Sequence, residues 1–365
     1  MKSKDRVKRA LTFDKPDHIP IFKMSFTPPY NDVFPLVNLP LKNWQPREKN
    51  IYPHFISDII RKLRLYRWKR PDWAPKDWYL REREEIDQWG CYWNRNENDL
   101  TMGHPGRPAI ETWDQMETWK GPDTANPESY AFFKLLSKPF FRKYKMAIIH
   151  DVMYIMNRVS MLRGFTNLLI DHHRNPKQVH QLIEKVTDFF MSNVEMLVTK
   201  YKSDGIWACD DLGTQQAPFF SPALFKKFYA GPYKRIIDFL HDHDCAFHLH
   251  SCGNIGDLIP TLIDIGVDAL EFDSPRLSGF ERLRDFRGKL PFWACVNIQT
   301  VYPNGTPEEV EQEVIEMIQT FSTQEGGFLA YFYPDTRVIN VPKENIKAFY
   351  KALKKWGQYP LKCLA

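Results

Sequence analysis

The chain has 365 residues, and 43% of them are hydrophobic, which is enough apolar material for one large core or two smaller ones. Lys and Arg total 50 and Asp and Glu total 45, and a net charge of +5 spread over this length does not indicate a nucleic-acid-binding protein. No run of 18 apolar residues is present, so the sequence predicts no membrane-spanning helix.

The first predicted elements lie in the N-terminal third of the chain. An apolar run, Ile19–Met24, predicts a strand. From about residue 40 to residue 125 no regular pattern holds, and eight of the 11 tryptophans lie between Trp44 and Trp119. We expect an irregular, aromatic-rich insertion there, which either packs as a loop-rich region or forms an aromatic wall over a substrate pocket.

From about residue 130, short apolar runs alternate with helical patterns. Each run is almost continuously apolar, as expected of parallel strands that are buried on both faces. The predicted strands are Met146–His150, Gly205–Cys209, Ala246–His250, Val267–Phe272, Pro291–Val296 and Gly327–Tyr331. Helix starts are predicted at Asn175-Pro176, at Ser221-Pro222 and at a capping box on Thr306, and a last helix is predicted from Pro342 to Trp356.

This alternation gives seven strands, and an eighth is expected in the N-terminal region that has no regular pattern. Strand–helix repeats of this length favour a closed (β/α)8 barrel, the TIM barrel, over an open doubly wound sheet. No Gly-x-Gly-x-x-Gly follows an early strand, which disfavours a dinucleotide-binding open sheet. We therefore predict a single α/β barrel domain over residues 1–365, with the irregular insertion at about 40–125.

The most informative motif is Phe247-His248-Leu249-His250-Ser251-Cys252-Gly253-Asn254, at the end of a predicted strand. Active sites of such barrels lie at the C-terminal ends of the strands. Strand alternation places His248 and His250 on one face, and Cys252 joins them if the chain stays extended. An imidazole and a thiolate are donors that zinc prefers, so one interpretation is a metal site at His250 and Cys252. The other is a buried, hydrogen-bonded histidine beside a core cysteine.

Carboxylates follow two other predicted strands. Asp210 and Asp211 are adjacent and face opposite ways, so we expect one of them in the cavity, where it could bind substrate, act as acid or base, or orient a metal ligand. An N-cap or a loop salt bridge is the alternative. Glu271 and Asp273 are two residues apart and share a face, so either could be a further ligand or a base.

The last two strands add further candidates. Cys295 lies in the run before Asn297 and could face the barrel interior. The final strand leads to Tyr333, Asp335 and Arg337, where Asp335 could complete a metal site or lie in an exposed loop.

These residues also carry a family resemblance. The stretch from His248 to Asn254, followed by Ile265-Gly266-Val267-Asp268, resembles the uroporphyrinogen decarboxylase superfamily. Four further segments carry the same resemblance: Arg6–Pro20, Leu162–Phe165, Asp204–Gly213 and Pro342–Ile346. It spans nearly the whole chain, is weakest between Trp44 and Trp119, and implies a barrel of the kind predicted above.

The resemblance implies one of two functional branches, and the chain departs from both. Porphyrinogen decarboxylases need no metal and bind their substrate through an N-terminal arginine-rich signature, but residues 22–29 hold no arginine. The methyltransferases of corrinoid metabolism hold zinc with a histidine and a cysteine one residue apart and with a later cysteine. His250 and Cys252 match that pair. Asp335 stands where the later cysteine is expected, with Tyr333, Glu271 or Cys295 as alternative third ligands.

The first functional hypothesis is therefore a zinc-dependent methyltransferase. It would move a methyl group between a small substrate, such as an aromatic methyl ether or a thiol, and a corrinoid protein. The candidate residues are Asp210 and Asp211 for catalysis, Arg163, Glu271, Asn297 and Tyr333 for substrate binding, and His250, Cys252 and Asp335 for the metal. A metal-free decarboxylase that holds a small acid with Arg163 or Arg337 and uses Asp210 is the second hypothesis, and a non-catalytic ligand-binding barrel is the third.

The remaining expectations concern the compartment and the partners. Six cysteines are scattered along the chain, which predicts free thiols in a reducing cytoplasm. The segment from Met1 to Arg9 is charged and lacks the apolar stretch of a signal peptide. We expect neither a nucleic acid nor a membrane as partner, and we expect that the barrel pairs as a homodimer.

Overall fold

A computed structural model describes residues 1–23, 31–38, 46, 50–54, 72–99, 101–136 and 142–364. Its strands, in chain order, are β1 (Ile21–Lys23), β2 (Val33–Val37), β3 (Tyr52–Pro53), β4 (Arg83–Ile86), β5 (Tyr92–Arg95), β6 (His104–Pro105), β7 (Tyr144–Met153), β8 (Gly205–Cys209), β9 (Ala246–His250), β10 (Ala269–Phe272), β11 (Phe292–Ala294) and β12 (Phe328–Phe332).

Eight of these strands form one sheet, in the order β1–β12–β11–β10–β9–β8–β7–β2. The strands are parallel and the sheet is a nearly closed barrel, which confirms the predicted (β/α)8 TIM barrel. All seven predicted strands are present. The eighth is β2, which follows β1 and lies before the segment at about 40–125 where the eighth strand was expected. Strand β1 ends at Lys23, and Met24, which was predicted to end it, lies outside the described residues.

Helices follow the barrel strands. In chain order they are α1 (Ser3–Leu11), α2 (Gln115–Thr118), α3 (Ala131–Leu136), α4 (Ile155–Arg163), α5 (Phe165–Arg174), α6 (Pro176–Glu195), α7 (Pro222–Phe225), α8 (Gly231–His241), α9 (Ile259–Asp264), α10 (Phe280–Arg284), α11 (Val301–Asn304), α12 (Pro307–Phe321) and α13 (Lys343–Trp356). Across the part of the chain that the structure describes, no helix has the length and apolar character needed to cross a bilayer.

The predicted helix starts are confirmed, with one difference in how a helix is capped. Ser221 accepts a hydrogen bond from the Leu224 amide, and Thr306 forms the full capping box. Asn175 precedes α6 as predicted, but its side chain makes no capping bond. Its amide instead donates to Asp171, because Asn175 also closes the preceding helix α5.

The chain divides into two compact units. The first holds residues 1–36, 136–148 and 197–365, and the second holds residues 37–135 and 149–196. The second unit contains the segment predicted to be an irregular insertion, and there strands β3–β6 form a four-stranded sheet. That the whole chain is one domain stays a prediction.

Three tryptophans of the second unit pack into its interior. Trp78, Trp89 and Trp93 are fully buried, and Trp93 stacks on His54 at 4.0 Å between ring centroids. Trp73 is exposed, and Trp44 and Trp68 lie outside the described residues. For these three buried tryptophans, the structure favours packing within the aromatic-rich segment over an aromatic wall above a substrate pocket.

Candidate active site

The candidate site lies in the first unit, where β8, β9 and β10 end. In the parallel register, Trp207 lies opposite His248, and Cys209 lies opposite His250. Because side chains alternate along a strand, these four residues share one side of the sheet. The ring of Trp207 contacts that of His250 at 5.5 Å between centroids, and all four side chains are buried.

His248 is neutral and lies next to the site, on the same face of the sheet as His250. The Tyr144 hydroxyl donates to the carbonyl oxygen of Asp204, so His248 Nε2–H donates to Tyr144 at 2.8 Å. Nδ1 then accepts from Trp293 Nε1 at 3.1 Å. Burial lowers the pKa of His248 to about 4. Both ring nitrogens are used by the protein, so His248 supports the site and is not a donor for it.

His250 is held by a carboxylate on one side and faces a thiol on the other. Nδ1 lies 2.5 Å from Glu271 Oε2, which leaves Nε2 facing Cys252 Sγ at 3.3 Å and Asp211 Oδ1 at 3.5 Å. Burial alone lowers the pKa of His250, but Glu271 and the neighbouring thiols raise it well above its ordinary value. The predicted convergence of His250 and Cys252 is therefore present.

Two glycines let the loops after β8 and β9 dock against each other. Gly253 has φ of +85°, and a Cβ there would lie 2.2 Å from the carbonyl oxygen of Gly213. A Cβ at Gly213 would lie 2.7 Å from the carbonyl oxygen of Asn254. The docking carries Asp211 to the second loop, where its Oδ1 accepts from the Cys252 amide at 2.9 Å.

Two carboxylates beside His250 have buried oxygens that no hydrogen bond from the described part of the chain satisfies. Asp273 Oδ1 and Glu271 Oε1 are buried and have no hydrogen-bond partner among the described residues. Burial, together with the charge of Glu271, raises the pKa of Asp273 to about 7. Burial also raises the pKa of the Cys252 thiol to about 11, although His250 opposes this. A buried oxygen without a partner is costly, and a bound cation would satisfy it.

The donor atoms fit a metal ion. His250, Cys252 and Asp273 offer ligand atoms that all lie within 4.8 Å of one another, and so do Cys209, Asp211 and His250. Nitrogen, sulfur and carboxylate oxygen are the ligand types of zinc, and a carboxylate behind a ligating imidazole is the usual outer partner. The sequence motif predicted that His250 and Cys252 come together, and the fold places Asp273 beside them.

Comparisons with known proteins agree with this fold. Residues 108–356 match the family Uroporphyrinogen decarboxylase (URO-D), a span of about two thirds of the chain that contains every site residue described above. The chain belongs to the uroporphyrinogen decarboxylase family. The predicted family resemblance is confirmed.

Two methyltransferases resemble this member of the uroporphyrinogen decarboxylase family. A methylated-thiol–coenzyme M methyltransferase of Methanosarcina mazei is 22% identical over 206 residues, which are 53% of this chain and 49% of that protein. The matched region thus spans about half the length of that relative. The solved structure of a methyltransferase from Methanosarcina mazei superposes with a TM-score of 0.62 at 14% identity, covering 97% of this chain and 99% of the other. The structural likeness shows a shared fold.

In this family member, the two predicted catalytic aspartates point different ways, as their adjacency predicted. Asp211 enters the site. Asp210 is fully buried and accepts a hydrogen bond from the Tyr233 hydroxyl of α8. Asp210 therefore joins β8 to a helix and does not face His250.

Two predicted substrate-binding residues are engaged in local structure. Asn297 Oδ1 accepts from the backbone amides of Gln299 and Thr300 at 2.9 and 3.1 Å and so closes a turn. Arg163 lies in the second unit, where it pairs with Asp171 at 2.7 Å and donates to the carbonyl oxygens of Ile110 and Glu111. Both side chains already have partners.

The residues after β12 lie at the edge of the site. Asp335 is exposed and belongs to neither donor group. Tyr333 is partly buried, and burial with the charges of Asp273 and Asp335 raises its pKa above the ordinary value. Cys295 Sγ lies 3.2 Å from the carbonyl oxygen of Asp273 and is buried.

Sequence reasoning missed two residues as parts of the site, Cys209 and Trp207. Cys209 is buried beside His250, and the indole Nε1 of Trp207 is buried without a hydrogen-bond partner in the described ranges. Their position two residues apart on β8 was the available signal, because alternation places both on the face of Asp211.

Proposed function

We propose that this protein is a zinc-dependent methyltransferase with the ion at His250 and Cys252. The observation that carries the proposal is the 3.3 Å approach of imidazole Nε2 and thiol Sγ at the end of β9, beside the unsatisfied oxygen of Asp273. The names of the two methyltransferases that resemble the chain support the same reaction class.

His250, Cys252 and Asp273 would hold the ion, with Asp211 as an adjacent carboxylate. Asp273 replaces Asp335 as the proposed third ligand, because its oxygen lies within 4.8 Å of the other two donor atoms. When bound, zinc supplies Lewis acidity, which lowers the pKa of a thiol or hydroxyl acceptor or polarises a methyl ether oxygen.

The protein's own groups would position the reactants. Glu271 fixes the orientation of His250 and directs Nε2 toward the ion. The Cys252 amide holds Asp211. The indole N–H of Trp207, buried and without a partner among the described residues, would donate to a substrate oxygen or another acceptor atom beside His250.

The substrate and the methyl carrier complete the proposal. A small methylated thiol or an aromatic methyl ether is the proposed substrate, and the first is the kind named for the relative. A corrinoid on a separate protein is the proposed carrier, as the family resemblance implies. A homodimer stays a prediction.

Two contacts disfavour the metal-free decarboxylase. Arg163, one of the two arginines proposed with Arg337 to hold the substrate carboxylate, is occupied by Asp171 and by two backbone carbonyl groups. Asp210, which was to stabilise the intermediate, is bonded to Tyr233 away from the site.

The test combines metal content with methyl transfer. Wild type, His250→Ala, Cys252→Ser and the control Cys245→Ser, a buried cysteine outside both donor groups, are purified and analysed for zinc. Methyl transfer is then followed between methylcobalamin and a panel of thiols, and from aromatic methyl ethers to reduced cobalamin. We expect stoichiometric zinc and transfer in wild type and in the control, loss of both in His250→Ala, and weakened zinc binding with loss of transfer in Cys252→Ser. Unchanged zinc in both site variants would contradict the proposal.

A further inference from the structure

We infer that Cys209 is a second thiolate ligand of the same ion, so that the metal is held by one imidazole and by two sulfurs, one from the end of β8 and one from the loop after β9. The inference rests on the proposed metal site. It adds a second thiolate to the ligands, which makes them more negative and softer.

The position of Cys209 in the barrel is the first support. It is the last residue of β8 and lies directly opposite His250 in the parallel register. Its Sγ, an oxygen of Asp211 and a ring nitrogen of His250 all lie within 4.8 Å of one another. Cys209 thus reaches His250 from β8, whereas Cys252 reaches it from the loop after β9.

The two donor groups describe one ion rather than two. Both groups contain His250, and Nδ1 of that ring is taken by Glu271. The groups therefore meet at Nε2, which can bind a single cation. With zinc–sulfur bonds of about 2.3 Å and zinc–nitrogen bonds of about 2.0 Å, ligand atoms of a tetrahedral site stand roughly 3.5 to 3.8 Å apart. Cys252 Sγ is slightly closer to Nε2 than this spacing, at 3.3 Å, and Cys209 Sγ lies within 4.8 Å of the same ring, so each sulfur needs only a small movement to reach it.

The surroundings of Cys209 differ from those of the other buried cysteines. Its Sγ lies 3.9 Å from Asp211 Oδ1, a carboxylate that is itself part of the site. Cys295 instead contacts the backbone carbonyl groups of Phe272 and Asp273, and Cys245 precedes β9 at its opposite end. Among the described cysteines, Cys209 and Cys252 are therefore the two that share His250.

Replacing the metal with cobalt measures how many thiolates bind the ion. Wild type and the variants Cys209→Ser, Cys252→Ser and Cys209→Ser/Cys252→Ser are stripped of metal and titrated with Co²⁺, and the thiolate-to-cobalt charge-transfer absorption is measured per bound ion. We expect each single variant to show about half of the wild-type intensity, because each loses one of two sulfur ligands. The double variant should show none, and Cys245→Ser should match wild type.

A second measurement does not depend on any variant. X-ray absorption at the zinc edge of the wild-type protein should fit two sulfur scatterers at about 2.3 Å. Should Cys209→Ser fail to fold, Cys209→Ala and this wild-type spectrum decide the question. A single sulfur scatterer, or a full charge-transfer band in the Cys209 variants, would overturn the inference and leave the proposed function intact. Wild-type protein that binds neither zinc nor cobalt would overturn both.

Discussion

A buried carboxylate decides how the imidazole of His250 is presented. Glu271 is fully buried and contacts Nδ1, so Nε2 is the nitrogen that faces the thiol of Cys252. Because an outer partner of this kind sets the orientation and the basicity of a ligand, its effect should appear in metal affinity.

We therefore expect Glu271→Gln to weaken zinc binding by roughly 10- to 100-fold while the fold persists. The measurement is a competition titration against a chromophoric chelator, with Glu325→Gln as the control because Glu325 is exposed and far along the chain from the site. Equal zinc affinity in Glu271→Gln and wild type would show that this carboxylate does not orient His250.

His248 gives a prediction for stability against pH. Its folded-state pKa of about 4 lies below the ordinary value of 6.5, so the unfolded chain takes up the proton first as the pH falls. The stability that neutral His248 contributes is thus present above about pH 6.5 and is lost toward pH 4, by about 2 kcal/mol at pH 5.

Urea unfolding at pH 7 and at pH 5 measures this loss. The variant His248→Gln should lose less stability between the two pH values than wild type, whereas His243→Gln, which changes an exposed histidine, should follow wild type. If the free energy of unfolding falls equally in wild type and His248→Gln, His248 does not cause the loss of stability.

At the scale of elements, the loops after β8 and β9 form the site together. Their backbones approach at Gly213 and Gly253, and the amide of Asn254 donates to the carbonyl oxygen of Thr214 at 2.6 Å. This docking brings Asp211 to Cys252. The two glycines are therefore required by the contact between the loops, and neither loop alone would require them.

The variant Gly253→Ala should separate the loops. A Cβ there would lie 2.2 Å from the Gly213 carbonyl oxygen, whereas at Gly279, which also has a positive φ, a Cβ would meet nothing within 4 Å. Both substitutions cost about 1 kcal/mol for the backbone conformation, but we expect further destabilisation and loss of zinc only for Gly253→Ala. Unfolding curves and zinc analysis of the pair provide the comparison, and equal zinc content in the two variants would contradict it.

Element-level patterns predicted some of the site and left the rest open. Strand alternation was enough to bring His250 and Cys252 together, because both leave one strand. The direction of Asp210 depends on Tyr233, a residue of helix α8 that packs behind the strand. The proposed third ligand depends on how β10 lies beside β9, and that register brings Asp273 to the thiol while Asp335 stays exposed.

At the scale of the whole molecule, the barrel was predictable because from residue 144 onward its strands are buried apolar runs that alternate with helices. The N-terminal segment was not, because its small sheet β3–β6 is built from short strands that carry charged residues such as Glu85. That carboxylate is buried and pairs with Arg83 and Arg95, contacts that a hydrophobic pattern does not reveal.

Metal binding should be visible in the stability of the whole chain. If zinc binds the folded state alone, a free zinc concentration 1,000-fold above the dissociation constant raises the free energy of unfolding by about 4 kcal/mol. Thermal melts with zinc and with a chelator should differ by several degrees in wild type and coincide in His250→Ala. A wild-type melt that does not respond to zinc would indicate that the donor atoms bind no ion.

The most direct test of the account is anomalous scattering at the zinc absorption edge from crystals of the purified protein. We expect an anomalous peak between Nε2 of His250 and Sγ of Cys252, within bonding distance of both and close to the carboxylate of Asp273. No peak there in zinc-supplemented crystals, or imidazole and thiol side chains that point away from each other, would contradict it.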